Sequence, residues 1–221
     1  MLLGEKLMKK CPVVFAAILV LAAFVPAPVA AAIKFDLGLK AGVSQAKIRE
    51  AFSEPSYEVA YSDSLTRPVF GAFAAVNLSR FFAIQPEIYL LTKGGKWPDD
   101  GIMVPETFSL RYIHVPILAK FRLINKGKLI PVIFAGPSWD ILLSARDMWY
   151  FDGEWHLWPL PASYKSTVGG FVLGVGVEYM LDRFLLILDI RNNLGLAHIG
   201  IEGPHEWGKT RALMFMVGVG F

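Results

Sequence analysis

Charged side chains that could do chemistry recur at every second position along several apolar stretches of the sequence. Four are basic and four are acidic: Lys40, Glu87, Lys120, Arg122, Asp140, Glu178, Asp189 and Arg191. If these side chains face one enclosed space, each unpaired charge would cost several kcal/mol, so we expect the two signs to pair. Two functions fit such a charge network: a narrow ion path and a structural plug of salt bridges.

Histidines offer a second kind of chemistry, metal binding or base catalysis. The chain has four, at positions 114, 156, 198 and 205. His198 and His205 lie near Glu206, but their spacing matches no metal motif, and His114 is interpreted as a packed interior residue beside Tyr112. The alternative is a lipid-modifying enzyme that uses His114 with a loop serine, yet the sequence contains no recognisable set of nucleophile, base and orienting group. We therefore predict no enzyme, no metal site and no cofactor.

A third candidate is a group of aromatic side chains within ten residues: Trp149, Tyr150, Phe151, Trp155 and Trp158. Aromatic girdles at a membrane interface would account for some of them. Asp152, Gly153 and Glu154 predict a turn between them, hence an outer hairpin with aromatic flanks. Exposed aromatics at such a tip would form a surface for a partner or ligand. Both interpretations, girdle and binding surface, remain open.

The beginning of the chain has the pattern of a secretory signal peptide. Lysines at positions 6, 9 and 10 precede an apolar run from Val13 to Val25, and small residues follow up to Ala32. We predict cleavage after Ala31 or Ala32, so that residues 1–32 form the signal peptide. A retained anchor is the alternative, but a run of about 13 residues is short for a membrane-spanning helix, which needs about 20.

Composition after cleavage excludes several classes of protein. Cys11, the only cysteine, lies in the signal peptide, so disulfides and cysteine-based sites are excluded from the mature chain. Cleavage removes one acidic and three basic residues, which changes 22 basic and 19 acidic residues to 19 and 18, a net charge of +1. We therefore expect no nucleic-acid partner. Apolar residues make up 54% of the chain and charged residues 19%. This composition is more apolar than that of a typical soluble domain.

The elements that must position these side chains alternate apolar and polar residues with a period of two. Eight segments do so, at 33–46, 67–78, 81–92, 108–123, 129–144, 165–181, 184–197 and 209–221. Each is longer than the usual strand of about five or six residues and long enough to cross a bilayer at a tilt. The connections alternate between long and tight, with tight ones near 79–80, 124–128 and 182–183. This connectivity is typical of transmembrane barrels.

We therefore predict an all-β fold for residues 33–221, an eight-stranded antiparallel up-and-down transmembrane β-barrel. A soluble sandwich or lipocalin-like barrel is the alternative. It would need charges on the outer face of every strand, and the stretch from Phe70 to Leu78 has none. An eight-stranded barrel is only wide enough for side chains to fill it, which favours the plug over the ion path.

The residues of four strands resemble the PorT-like family of outer-membrane β-barrel proteins. The stretches that carry the resemblance are Gln85, Pro86, Glu87, Tyr89, Lys93 and Gly94; Pro116 and Lys120; Ala135, Gly136 and Pro137; and Asp189–Ile199. Asn192 and Asn193 depart from the family, where an aromatic and a serine are commoner. The resemblance covers essentially the whole mature chain and implies an eight-stranded barrel in the outer membrane. The resemblance implies little about activity, although one branch of the family is tied to a protein-secretion apparatus.

The last strand ends with apolar residues at every second position: Phe215, Val217, Val219 and Phe221. In outer-membrane barrels, as the resemblance implies, such an ending is the signal that the barrel-assembly machinery recognises. An ordinary edge strand is the alternative, although an exposed apolar edge would invite aggregation.

We therefore expect an exported protein in the outer membrane of a Gram-negative-type bacterium. Its partners would be outer-membrane lipid, the barrel-assembly machinery and an envelope or secretion-system protein. Its role would be structural or interactive, through long outer loops or as an accessory part of an envelope assembly. The alternatives are a small pore or transporter for ions or small solutes and, less favoured, a lipid-modifying enzyme.

Overall fold

The computed structural model describes residues 34–49, 62–97, 105–124, 127–159, 164–200 and 208–221. Its strands are β1 (Lys34–Arg49), β2 (Asp63–Asn77), β3 (Phe82–Trp97), β4 (Glu106–Arg122), β5 (Leu129–Phe151), β6 (Glu154–Pro159), β7 (Thr167–Met180), β8 (Leu185–Gly195) and β9 (Lys209–Gly220). They form the compact unit Phe35–Phe221; the other unit, Met1–Lys34, lies almost wholly outside the described residues, as does the predicted signal peptide, residues 1–32. No helix of the described residues is long and apolar enough to cross a membrane.

Eight of these strands close into one antiparallel barrel. Around the ring the neighbours are β1, β2, β3, β4, β5, β7, β8 and β9, and β9 pairs again with β1. Each of the eight strands is therefore hydrogen-bonded on both sides, which is the arrangement that hydrocarbon requires of strands. The predicted eight-stranded antiparallel barrel is confirmed by this closure.

The two faces of the barrel wall differ as the period of two predicts. On β1 the outward Leu39 is 60% exposed, whereas its inward neighbour Lys40 is 4% exposed. On β9 the outward Val217 is 58% exposed and the inward Met216 is 1% exposed. Apolar side chains therefore cover the outside, whereas the inside combines charged and apolar side chains. The soluble alternative needs a charged outer face instead.

Strand β6 is an addition to the predicted set of eight. It pairs with the end of β5, from Arg146↔Pro159 to Phe151↔Glu154, as a hairpin on the barrel rim. It is the second arm of the outer hairpin that the turn at residues 152–154 predicts. The period of two did not extend β5 into this hairpin, because Leu143 is an extra residue in β5, where the register shifts between Arg111 and Tyr112 of β4. The shift moves the buried positions of β5 from even to odd numbers, so the alternation that begins at residue 129 ends at residue 144.

Strands β2 and β3 are also longer than predicted. β2 begins at Asp63 instead of residue 67, and β3 continues to Trp97 instead of residue 92. Their extra residues pair with each other, Asp63 opposite Lys96 and Ser64 opposite Gly95, and an irregularity follows between Ser64 and Phe70. Because these residues are mostly polar and the register is interrupted, the apolar–polar alternation is absent there. The sequence pattern therefore did not predict these ends of β2 and β3.

Candidate functional site

The centre of the barrel holds a closed group of two cations and two carboxylates, which we call the central ring. Arg191 donates to Asp189 from Nε at 2.9 Å and from Nη2 at 2.7 Å, and it also donates to Glu87. Lys40 Nζ donates to Glu87 Oε1 at 3.0 Å and to Asp189 Oδ2 at 2.8 Å. Each carboxylate thus contacts both cations. Bidentate contacts of this kind fix the geometry as well as the charge.

Cross-strand glycines make room for these long side chains. The pairs that place a glycine opposite a charged member of the ring are Lys40↔Gly218, Asp189↔Gly176 and Arg191↔Gly174. A Cβ added at Gly174 would lie 2.5 Å from the ring of Phe134, and one at Gly218 would lie 2.6 Å from Cγ of Lys40. Inward glycines are therefore a condition for filling so narrow a barrel.

Aromatic rings flank the same cations. The guanidinium carbon of Arg191 lies 4.9 Å from the ring centre of Phe134 and 5.5 Å from that of Tyr89. Lys40 Nζ lies 5.1 Å from the ring centre of Phe73. Distances below about 6 Å allow cation–π attraction. Aromatic faces thus replace water beside the two cations of the central ring.

A second group lies around Asp140. Its carboxylate accepts from Lys93 Nζ at 2.6 Å and contacts His114 Nδ1 at 2.7 Å. Lys93 and His114 are both 0% exposed. Lys93 was not among the residues predicted for the charge network, because the predicted strand ended one residue earlier. The inward positions of β3 run through Gln85, Glu87, Tyr89, Leu91 and Lys93, so a longer strand would have revealed it.

His114 is oriented by Asp140 as a catalytic base would be, but its other contact is an amide. Nδ2 of Asn193 lies 3.2 Å from both ring nitrogens, Nδ1 and Nε2, so the amide packs against the imidazole and no nucleophile of the described residues faces it. Asn193 is fully buried. The histidine is therefore a packed interior residue in this structure. Among the described residues, no group of three or more His, Cys, Asp or Glu could hold a metal ion.

A third group joins the strands near the tight turns. Glu178 accepts from Lys120 Nζ at 2.6 Å and from Arg122 Nε at 3.1 Å. Arg122 also donates to Asn77 Oδ1 at 2.8 Å, and Asn77 donates to Asp36 Oδ2 at 2.8 Å. Asp36 and Asn77 were not among the predicted site residues. Each lies near a strand end, and the period of two does not indicate which residue of another strand it contacts there.

The structure therefore brings all eight predicted charges into ion pairs, in three separate groups. The charged members of the first two groups are all at most 4% exposed. A water-filled lumen would leave these side chains accessible to solvent. The interior is instead filled by paired charges, glycines, aromatic rings and clusters of buried aliphatic side chains.

The aromatic residues predicted for the outer hairpin lie on β5, on β6 and at the turn between them. Tyr150 is opposite Trp155, with ring centres 5.3 Å apart, and both are exposed. Trp149 is exposed on the other face of the hairpin. The turn uses positive φ at Asp152 (53°) and Gly153 (83°), as two-residue hairpin turns do. Phe151 and Trp158 are placed in β5 and β6 by backbone pairing, and their side chains lie outside the described part.

The last strand carries the residues of the predicted assembly signal on its outward face. Phe215 and Val217 are exposed on the barrel wall, as is Phe221, which follows β9. β9 pairs with β1 on one side and with β8 on the other. The edge-strand alternative is therefore wrong, because both edges of β9 are hydrogen-bonded.

Comparisons with known proteins were made for the whole chain. A family model described as outer membrane protein beta-barrel domain matches residues 26–200. No curated protein matches the chain.

Among solved structures, the chain is similar to Neisserial surface protein A, with 16% identity, coverage of 85% of this chain and 97% of that one, and a TM-score of 0.49. It is also similar to OprG of Pseudomonas aeruginosa, with 12% identity, coverage of 84% and 94%, and a TM-score of 0.49. A third similar structure is Ail of Yersinia pestis, with 10% identity, coverage of 85% and 99%, and a TM-score of 0.45.

Proposed function

The chain belongs to the outer membrane protein beta-barrel domain family, and from that premise we propose that it is a non-enzymatic, non-conducting barrel that binds an envelope protein through its outer hairpin. It is accordingly a protein of the outer membrane of Gram-negative bacteria. We further propose membership of the PorT-like branch, export by the signal peptide at residues 1–32 and insertion by the barrel-assembly machinery.

The observation that carries this proposal is the closed interior. Arg191, Glu87 and Asp189 are each at most 3% exposed, and all their charges are paired within the barrel. Solutes have no hydrated path through such a centre. Function is then best sought on the surfaces that the barrel presents outside the membrane.

The outer hairpin continues the wall beyond the end of β7, and β4 accompanies β5 as far as Glu106↔Trp149. The last pair of β5 with β7 is Ile141↔Thr167, whereas β5 continues to Phe151. At about 3.3 Å per residue, residues 142–151 extend roughly 30 Å along the strand beyond that pair. The hairpin is thus well placed to reach a partner beyond the lipid headgroups.

The aromatic face of the hairpin lies beyond a level of outward arginines. Arg111 and Arg146 are exposed on neighbouring strands, and Ile113 and Ile141 pair just below them on the wall. Tyr150 follows Arg146 by four residues, which is about 10 Å along the membrane normal for a strand tilted by about 40°. Charged outward positions mark the end of the acyl region, so Tyr150 and Trp155 favour a partner surface over an acyl contact.

Photo-crosslinking from the hairpin tests this proposal. A photoreactive phenylalanine analogue at position 155 should give a discrete protein adduct in intact envelopes. The matched control is the same analogue at Trp139, which is also exposed and aromatic but lies in the wall opposite Val115. Position 139 should give no protein adduct, because acyl chains surround it. Absence of an adduct at 155, or the same adduct at both positions, would contradict the proposal.

A further inference from the structure

Four cations form one outward group at the end of β1 and the start of β9, which we call the β1–β9 patch. Lys47 lies directly opposite Arg211, and Arg49 lies directly opposite Lys209. All four side chains are exposed. Side chains directly opposite on one face of an antiparallel pair have Cβ atoms about 5 Å apart. Two like-charged pairs are therefore stacked one above the other on the outside of the barrel.

This register is unfavourable for the isolated barrel, since like charges directly opposite destabilise a sheet. Of the ion pairs formed within the described residues, none involves a member of the patch. Near the ends of β2 and β3 the register is instead favourable, since Lys96 lies opposite Asp63. An external anion would compensate the patch, whose cations pair with no carboxylate of the described residues.

The position of the patch matches the lipid headgroup level. Below it on the same face come Gln45↔Leu213 and then Val43↔Phe215, whose apolar side chains are exposed on the wall. Four residues from Val43 to Lys47 rise about 10 Å along the membrane normal on a tilted strand. Headgroups occupy the first several ångströms beyond the hydrocarbon, so the cations begin where the acyl chains end.

The upper pair of the patch also borders a recess. A small pocket is lined by Arg49, Lys209, Gly208 and His198. Gly208 allows the chain to approach β1 closely, because a Cβ there would lie 2.2 Å from the carbonyl oxygen of Arg49. Arginine and lysine together can bind a phosphate by a planar fork and a point charge.

We propose that the β1–β9 patch binds the phosphate groups of a lipid headgroup in the outer leaflet. The occupant is a lipid because the cations point away from the barrel and are continuous with its acyl-facing surface. Phosphate is the chemistry that fits two stacked pairs of Lys and Arg. A soluble phosphate ion has the same charge but no acyl chains to occupy the adjacent apolar face.

The test measures binding of bis-phosphorylated lipid A to the purified barrel in dodecyl maltoside micelles, by native mass spectrometry. The double variant Lys47→Gln/Arg211→Gln should bind lipid A about 30-fold more weakly, as expected for the loss of two surface cations. The matched control, Arg80→Gln/Arg183→Gln, removes two exposed cations at the tight turns. It should change binding by less than about twofold, since those residues lie at the opposite end of the strands.

A second measurement separates binding from folding. Lipid A should raise the unfolding midpoint of the wild-type barrel, and at the same lipid concentration it should raise that of the double variant much less. The conservative variant Lys47→Arg should retain binding, because it keeps the charge. Equal binding by the double variant and the wild type, or equal loss in the control, would overturn the proposal. Displacement of lipid A by millimolar inorganic phosphate would assign the patch to a soluble anion and overturn the lipid occupant.

Discussion

Strand β1 carries two lysines in opposite environments. Lys40 points inward and contacts two carboxylates, whereas Lys47 points outward and lies opposite Arg211. The interior has no access to counter-ions, so each buried cation needs an acid from another strand. The outer rim has lipid and solvent beside it, so its cations can be compensated from outside. The difference shows that charges in the interior are balanced within the chain, whereas outward cations can be left for lipid or solvent to balance.

The largest effect expected from this comparison is the loss of a central cation. Arg191→Met should lower the free energy of unfolding by about 3–5 kcal/mol, because Glu87 and Asp189 lose a buried partner. Guanidinium titration of the barrel in neutral micelles measures it. Lys47→Met is the matched control on the rim and should change stability by less than about 0.5 kcal/mol. Equal losses in the two variants would remove the distinction between inside and outside.

The second prediction compares two interior groups. Asp140→Asn should cost about 3 kcal/mol, because Lys93 and His114 are fully buried and contact no second carboxylate within the described residues. Arg122→Gln in the third group should cost less, about 1–2 kcal/mol, since Arg122 is partly exposed and Glu178 keeps its ion pair with Lys120. The same titration gives both values. A larger loss at Arg122 would show that solvent access does not set the cost.

The third prediction concerns the space that the charges need. Gly174→Ala should lower stability by about 1–3 kcal/mol, because the new methyl group would press on the Phe134 ring beside Arg191. Gly169→Ala on the same strand is the control, since a Cβ there meets nothing within 4 Å. Thermal unfolding in micelles compares them. If Gly174→Ala is as stable as Gly169→Ala, the space around the Phe134 ring is larger than the structure shows, and the prediction is wrong.

The smallest effect has the opposite sign. In neutral micelles Lys47→Gln/Arg211→Gln should raise stability by about 0.5 kcal/mol, because it removes a like-charged cross-strand pair. Chemical unfolding without added lipid measures it. A loss of more than about 1 kcal/mol would mean that these cations are stabilised within the barrel itself, contrary to the comparison.

The sequence predicted the barrel and much of the interior because both follow from one period of two. Arg191 and Glu87 were placed inside by alternation alone, without knowledge of their partners. Lys93 was missed because the predicted strand ended at residue 92, although it continues the inward positions of β3. Which acid meets which base depends on long-range register: Glu87 and Arg191 are 104 residues apart in the chain. The alternation along one strand does not indicate which residue of a distant strand its side chains will contact.

The outer hairpin shows a different limit. Asp152 and Gly153 predicted the turn, since both types tolerate positive φ. The period of two did not predict that β5 continues beyond residue 144 into this hairpin, because the extra residue Leu143 reverses the faces of β5. The like-charged register of β1 and β9 was also invisible, since Lys47 and Arg211 meet only when the barrel closes.

The most direct test of the closed interior is the conductance of the purified wild-type protein in planar lipid bilayers. A barrel whose centre is filled by Lys40, Glu87, Asp189 and Arg191 should give no reproducible conductance steps under conditions in which a porin control gives them. Uniform, ion-selective steps from the wild-type barrel would contradict the account, because they require a hydrated path through that ring of charges.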